Sequence, residues 1–115
     1  MTKNASPFAC VMNAIEPAHR EAHIATAKSL FGRVTEVREL ENGYSFCFGH
    51  DAAVLTLLAD FITLEKQCCP FFGFIIRIEP EGGDILLDLT GRDGVKPFIQ
   101  AEIGGIVGAQ IVPIH

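Results

Sequence analysis

Residues 65–72 mark an abrupt change of pattern in this chain, because they contain two adjacent cysteines followed by Pro70 and two phenylalanines. Before this run, from residue 52, apolar residues recur at steps of three or four, which is the spacing of one helix face. Pro70 disfavours helical backbone at the residue before it, so the helix is predicted to end at Cys68 or Cys69. From Phe71 onward apolar residues alternate, which is typical of a strand.

The first half of the chain yields a helix and a hairpin by similar arguments. Glu16-Pro17 opens a helix that is predicted to run to about Phe31, with Gly32 just beyond its end. Its predicted buried stripe consists of His23, Ile24, Ala27, Leu30 and Phe31. Strands are expected at roughly 34–41 and 44–49, joined by Asn42-Gly43 in a type I′ turn. Asp51 is the predicted N-cap of the central helix.

The second half repeats this order. Strands are predicted at 71–79 and 84–90, with a turn at 80–83, and a third helix at about 93–103 that has Pro97 in its first turn. The order αββαββα predicts an α+β fold with a four-stranded, mainly antiparallel sheet and helices packed on one face. We expect one domain over 1–115, with a core at 8–103 and an apolar tail at 104–115.

Composition excludes several classes of function. The chain has 115 residues and a net charge of -5, which disfavours binding to nucleic acid or to anionic membranes. No apolar run approaches the roughly 20 residues of a membrane span, and a signal peptide is not expected at the N-terminus. Four cysteines, two of them adjacent, do not resemble a secreted disulfide framework. We therefore expect a cytoplasmic protein with reduced thiols.

Cys68 and Cys69 are the strongest candidates for chemistry. A helix C-terminus opposes thiolate formation, and Glu65 adds a further negative charge, so a low-pKa nucleophile is disfavoured. A bound cation would reverse this balance by deprotonating the sulfurs. Thiolates select soft ions such as Zn, Cu(I) and mercury, so we expect metal binding rather than catalysis. The alternative is that Cys68 is a small core residue and Cys69 is incidental.

Two further ligands are proposed from sequence position. Cys10 lies on the short apolar run 8–12, which is able to pair beside the strand that starts at Phe71. His23 lies four residues after His19 on one helix face, although the pair does not form the zinc-protease motif. The predicted metal ligands are therefore Cys68, Cys69, Cys10 and His23. Cys10 as an edge residue and His23 as a structural histidine are the competing interpretations.

Several stretches together resemble a family of small bacterial proteins with a Cys-Cys-Pro-Phe junction. They are Glu65–Phe74, Leu86–Gly91, Gly94–Phe98 and the hairpin at 42–46, with a weaker match at 9–12. Similar domains are fused to DNA-binding regulators of the mercury-resistance type. The resemblance implies a link to heavy-metal or thiol stress.

Three functional hypotheses follow. The first is a small protein that binds or senses a soft metal or metalloid through vicinal thiols. The second is a thiol-disulfide redox protein that uses a reversible Cys68–Cys69 or Cys10–Cys68 disulfide. The third is a noncatalytic interaction module. We also predict a homodimer, because the tail beyond Ile103 is apolar and lacks charged side chains, and because edge strands accept a strand from a neighbour.

Overall fold

The computed structural model describes residues 16–107, and within them the chain forms three helices and four strands. The elements are α1 (Pro17–Phe31), β1 (Glu36–Leu40), β2 (Gly43–Cys47), α2 (Ala53–Cys68), β3 (Gly73–Ile78), β4 (Ile85–Thr90) and α3 (Val95–Ile103). The predicted αββαββα order and the α+β class are confirmed. Each strand is shorter than predicted: β1 and β3 lose residues at both ends, β2 begins one residue early but ends at Cys47, and β4 loses only its first residue.

The sheet has the order β1-β2-β4-β3, and all of its pairs are antiparallel. Register places Val37 beside Phe46, Phe46 beside Leu87, and Leu87 beside Ile76. The first three of these residues are buried in one core with apolar residues of all three helices. The helices therefore cover one face of the sheet, as predicted. The other face, here called the bare face, carries the intervening residues of each strand.

Helix α2 lies at the centre of this core and ends as the sequence predicted. Its buried side chains are Val54, Leu58, Phe61, Glu65 and Cys68, which follow one another at helical spacing. The last helical residue is Cys68, and Cys69 leaves the helix with φ -128°. At the other end, the backbone N–H of Ala53 donates to Asp51 Oδ1 at 2.9 Å. The N-cap residue is Ala52 rather than the predicted Asp51, whose side chain lies one residue earlier and pairs an N–H of the first turn.

Helix α1 departs from its predicted buried stripe. His23, Leu30 and Phe31 are buried, but Ile24 is 48% exposed. The apolar residues of α1 are spread around the helix, so its rotation is set by what it meets on α2 rather than by a single stripe. His23 occupies the position facing α2, where its ring stacks on Phe61 with centroids 5.6 Å apart. The prediction for Ile24 was therefore wrong.

The type I′ turn predicted at Asn42-Gly43 is not formed there, and its backbone pattern lies in the second hairpin instead. Neither residue has positive φ, whereas Glu81 and Gly82 of the second hairpin have φ of 61° and 70°. Two successive positive φ angles are the pattern of a type I′ turn. Gly43 is needed for a different reason, because a Cβ there would lie 2.0 Å from the Leu89 carbonyl oxygen. It allows β2 and β4 to approach closely.

The two outer strands of the sheet, β1 and β3, differ in how well they are protected from pairing with another strand. Strand β1 alternates charged with apolar residues, whereas β3 carries three exposed isoleucines, Ile75, Ile76 and Ile78. Ile76 and Ile78 lie on the helix-covered side, but at this edge they are 43% and 60% exposed. Strand β3 is thus an apolar edge, the kind that pairs readily with another strand.

Several predictions concern residues outside the described range. They are Cys10 with its apolar run 8–12, His115, and the tail from residue 108 onward. Ile106 and Val107, at the start of the predicted tail, pack against the core. Within residues 16–107, no helix has the length and apolar character needed to cross a membrane.

Candidate metal centre

Three polar side chains meet at the end of the core where α2 finishes. Glu65 and Cys68 are three residues apart on α2, so they project from the same face in its last turn. His23 comes from the middle of α1, which packs against α2. The core thus closes around a polar group at the point where Pro70 forces the chain out of its helix.

Glu65 is the centre of this group. His23 Nε2 donates to Glu65 Oε1 at 2.9 Å, and the Cys68 thiol donates to the same oxygen at 3.4 Å. The three side chains are nearly inaccessible, since His23 is 5%, Glu65 8% and Cys68 1% exposed. One ligand atom from each residue lies within 4.8 Å of the other two. Imidazole, carboxylate and thiolate are all established zinc ligands.

His23 leaves one hydrogen-bonding atom unsatisfied. Its Nδ1 is buried and has no hydrogen-bond partner among the described residues. Such an atom costs about 1–3 kcal/mol, which a purely structural histidine would avoid by choosing a paired orientation. A buried polar atom without a partner therefore calls for an explanation, and a functional role for the residue is one.

The charges at this end of the core are predominantly negative. Burial, followed by the charge of Glu65 and its hydrogen bond, raises the pKa of Cys68 to about 12. Glu102 on α3 also raises the pKa of Cys68. Burial and the neighbouring Glu65 in turn raise the pKa of Glu102. These raised pKa values favour the protonated forms of Cys68 and Glu102. A cation placed among these groups would instead favour their ionised forms.

Cys69 lies beside Cys68, although it has left the helix. Its side chain is fully buried, and its Sγ lies 3.6 Å from Cys68 Sγ. Cys69 is disulfide-bonded, whereas Cys68 has a free thiol. Cys69 therefore supplies a thiolate only after reduction, and its role as a ligand stays a prediction.

The distances within the group suit a small tetrahedral ion. Bond lengths of about 2.0 Å to nitrogen or oxygen and about 2.3 Å to sulfur place tetrahedral ligands roughly 3.3–3.6 Å apart. The observed separations from Glu65 Oε1 are 2.9 Å to His23 Nε2 and 3.4 Å to Cys68 Sγ. These two separations need to change by only a few tenths of an ångström, and the ligand atoms of His23 and Cys68 lie within 4.8 Å of each other. Three protein ligands leave a fourth position for another donor.

Two of the predicted ligands, His23 and Cys68, are thus brought together by the fold, and Cys69 lies beside them. Cys10 is outside the described residues. Cys47 lies apart from this group, on the bare face, and is also buried. Glu65 was not predicted as a ligand, because the sequence indicated only that its charge would repel a neighbouring thiolate. Its position in the buried stripe of α2 was the available signal.

The comparisons with known proteins add no constraint. No protein-family model, no curated protein and no solved structure matches this chain. The resemblance to the Cys-Cys-Pro-Phe proteins stays a prediction, and function must be argued from the site itself.

Proposed function

We propose that this protein binds a soft or borderline metal ion through Cys68, His23 and Glu65. The observation that carries the proposal is the buried group of three ligand atoms within 4.8 Å of one another. The donor set of one sulfur, one nitrogen and one oxygen favours Zn among common cellular ions, and the sulfur also suits Cu(I) or Hg(II). The alkaline-earth ions prefer oxygen donors alone.

Two features support a cation here over a purely structural hydrogen-bonded group. Burial, together with the negative charge of Glu65 and Glu102, raises the pKa of Cys68, so a cation would relieve repulsion as well as gain ligands. Cys69 Sγ is 3.6 Å from Cys68 Sγ, which supplies a fourth donor in the reduced protein. The resemblance to domains of mercury-resistance-type regulators points to a sensing role in metal stress.

The test is titration of the fully reduced protein, freed of reductant, with Zn(II), Cu(I) and Hg(II) separately. We expect one ion per chain for at least one metal. Cys68→Ser should weaken binding by at least about 100-fold, because loss of even an outer-shell partner costs 10–100-fold. Cys47→Ser is the matched control, since Cys47 is also a buried free cysteine. Binding that survives Cys68→Ser, or that Cys47→Ser reduces equally, would overturn the proposal.

A second candidate function is thiol-disulfide exchange. The observation that favours it is the free thiol of Cys68 next to the disulfide-bonded sulfur of Cys69. Deprotonated Cys68 would attack this disulfide, forming one sulfur–sulfur bond as another breaks and a thiolate leaves. The raised pKa of Cys68 makes this reaction slow, and for that reason metal binding is the preferred function.

Mass spectrometry separates the two functions. Mild oxidation followed by mapping of disulfides would show Cys68 in a reversible disulfide if exchange is the function. A Cys68 that stays a thiol throughout, while binding metal, supports the first proposal. If neither metal binding nor exchange is detected, the noncatalytic interaction module is the remaining hypothesis.

A further inference from the structure

Helices α1 and α2 enclose an open cleft on the outer side of the helix layer. Its volume is about 310 Å³, and its walls include His19, Ala22 and His23 from α1 with Asp60 and Thr63 from α2. His19, Ala22, Asp60 and Thr63 are exposed, whereas His23 is buried. The cleft therefore leads from solvent to one face of a residue that also belongs to the candidate metal centre.

His23 is the link between the cleft and the buried ligands. It lines the cleft, and its Nε2 bonds to Glu65 Oε1. Glu65 and Cys68 are almost inaccessible, so an ion from solvent needs a path through the protein surface to reach them. A metal site requires such a path as much as it requires ligands.

The walls of the cleft carry groups that attract and hold cations transiently. Asp60 is an exposed carboxylate on one wall, and His19 lies on the other wall one helical turn from His23. An acidic group at the mouth of a cleft raises the local concentration of cations. His19 offers an imidazole from which an ion passes to the imidazole of His23.

We propose that the cleft between α1 and α2 is the route by which a divalent metal ion reaches Cys68, with His19 and Asp60 as transient ligands. This inference rests on the proposed function, and it adds two residues that guide the ion without holding it at equilibrium. A change to the route alters the association and dissociation rates of the metal ion by the same factor. A change to an equilibrium ligand alters the Kd.

The experiment is stopped-flow mixing of reduced full-length protein with cadmium chloride, followed by absorbance of the cadmium–thiolate bond. For the His19→Ala/Asp60→Asn variant we expect association to slow by about tenfold, the lower end of electrostatic steering effects. Dissociation into excess chelator should slow by a similar factor. The Kd should change by no more than about fivefold, which is the most that an exposed charge contributes.

The matched control is His50→Ala/Asp93→Asn. It removes the same two residue types from exposed positions that do not line this cleft. Its rates should equal those of the original protein. A second arm uses Ala22→Phe, which narrows the cleft without removing any donor and should slow both rates with the Kd unchanged.

The outcomes separate this inference from the proposed function. Normal stoichiometric binding with unchanged rates in both arms overturns the route alone. A large loss of affinity in His19→Ala/Asp60→Asn also overturns it, since these residues would then be equilibrium ligands. Absence of cadmium, zinc and mercury binding by the unmodified protein overturns both the route and the function. Circular dichroism of each variant establishes that the fold is retained.

Discussion

The helix-covered side of the sheet and the bare face each contain a free cysteine, in contrasting surroundings. Cys68 lies at the end of α2 and donates to a buried carboxylate. Cys47 is the last residue of β2, on the bare face, and lies between Glu36 on β1 and Leu86 on β4. Both side chains are buried, so burial alone does not distinguish a candidate ligand from a packing residue.

The charges near these cysteines are arranged differently. On the bare face, the Arg77 guanidinium donates to Asp88 at 3.0 Å and to Ser45 at 3.1 Å, so opposite charges are paired. On the helix side, Glu65 accepts from His23 and Cys68, and Glu102 adds a second carboxylate. An excess of carboxylates, with Glu65 buried and Glu102 exposed, marks the candidate metal centre more than the presence of a thiol does.

The largest effect should be on the reactivity of Cys68. Its pKa of about 12, against an ordinary 9.0, leaves about 1000-fold less thiolate near neutral pH. Alkylation by iodoacetamide at pH 8 should therefore be about 1000-fold slower in the folded than in the urea-unfolded reduced protein. The alkylation rate of Cys68 in the folded protein should rise about tenfold per pH unit, because its thiolate fraction rises about tenfold per unit below its pKa. Peptide mapping measures Cys68 and Cys47 in the same sample, and equal folded and unfolded rates for Cys68 would contradict the prediction.

The next largest effect should be on stability. His23→Ala leaves the buried Glu65 without its imidazole partner, and a buried group that loses its hydrogen bond in this way costs about 1–3 kcal/mol, or more when it is charged. Arg77→Ala breaks the pair with Asp88 on the bare face, where Arg77 is partly exposed, and should cost at most about 1 kcal/mol. Urea unfolding followed by circular dichroism gives both values. If His23→Ala and Arg77→Ala lower the free energy of unfolding equally, the prediction is wrong.

A smaller effect should follow from neutralising Glu65. Glu65→Gln removes a charge that raises the pKa of Cys68, so that pKa should fall and alkylation of Cys68 at pH 8 should accelerate by about tenfold. Asp88→Asn is the control on the bare face and should leave the Cys68 rate unchanged. If Glu65→Gln does not accelerate the reaction, burial and Glu102 account for the raised pKa of Cys68 without Glu65.

The smallest expected change is a factor of two in molecular mass, which distinguishes the predicted homodimer from a monomer. The exposed isoleucines of β3 form an apolar edge, and an antiparallel partner strand from a second copy would cover Ile76 on the helix side. Light scattering should give a dimer for the full chain and a monomer for Ile76→Lys. Ile24→Lys, which changes an equally exposed isoleucine on α1, should stay dimeric. A monomeric full chain at micromolar concentration would show the prediction to be wrong.

The sequence by itself determined the order of elements, the end of α2 to within Cys68 or Cys69, and the α+β class. These features depend on local rules: the spacing of apolar residues and the restriction imposed by Pro70. The sequence also indicated Cys68 and His23 as candidate ligands, because their chemistry is evident from residue type.

Only the tertiary structure decided which of these residues meet. His23 and Glu65 are 42 residues apart in the chain, and their contact depends on how α1 is rotated against α2. The same rotation buries His23 and exposes Ile24, although the sequence assigns both to one stripe. Periodicity shows which face of an element is apolar, but the partner of that face is fixed by packing between elements. The role of Glu65 therefore emerged only when the helices were assembled.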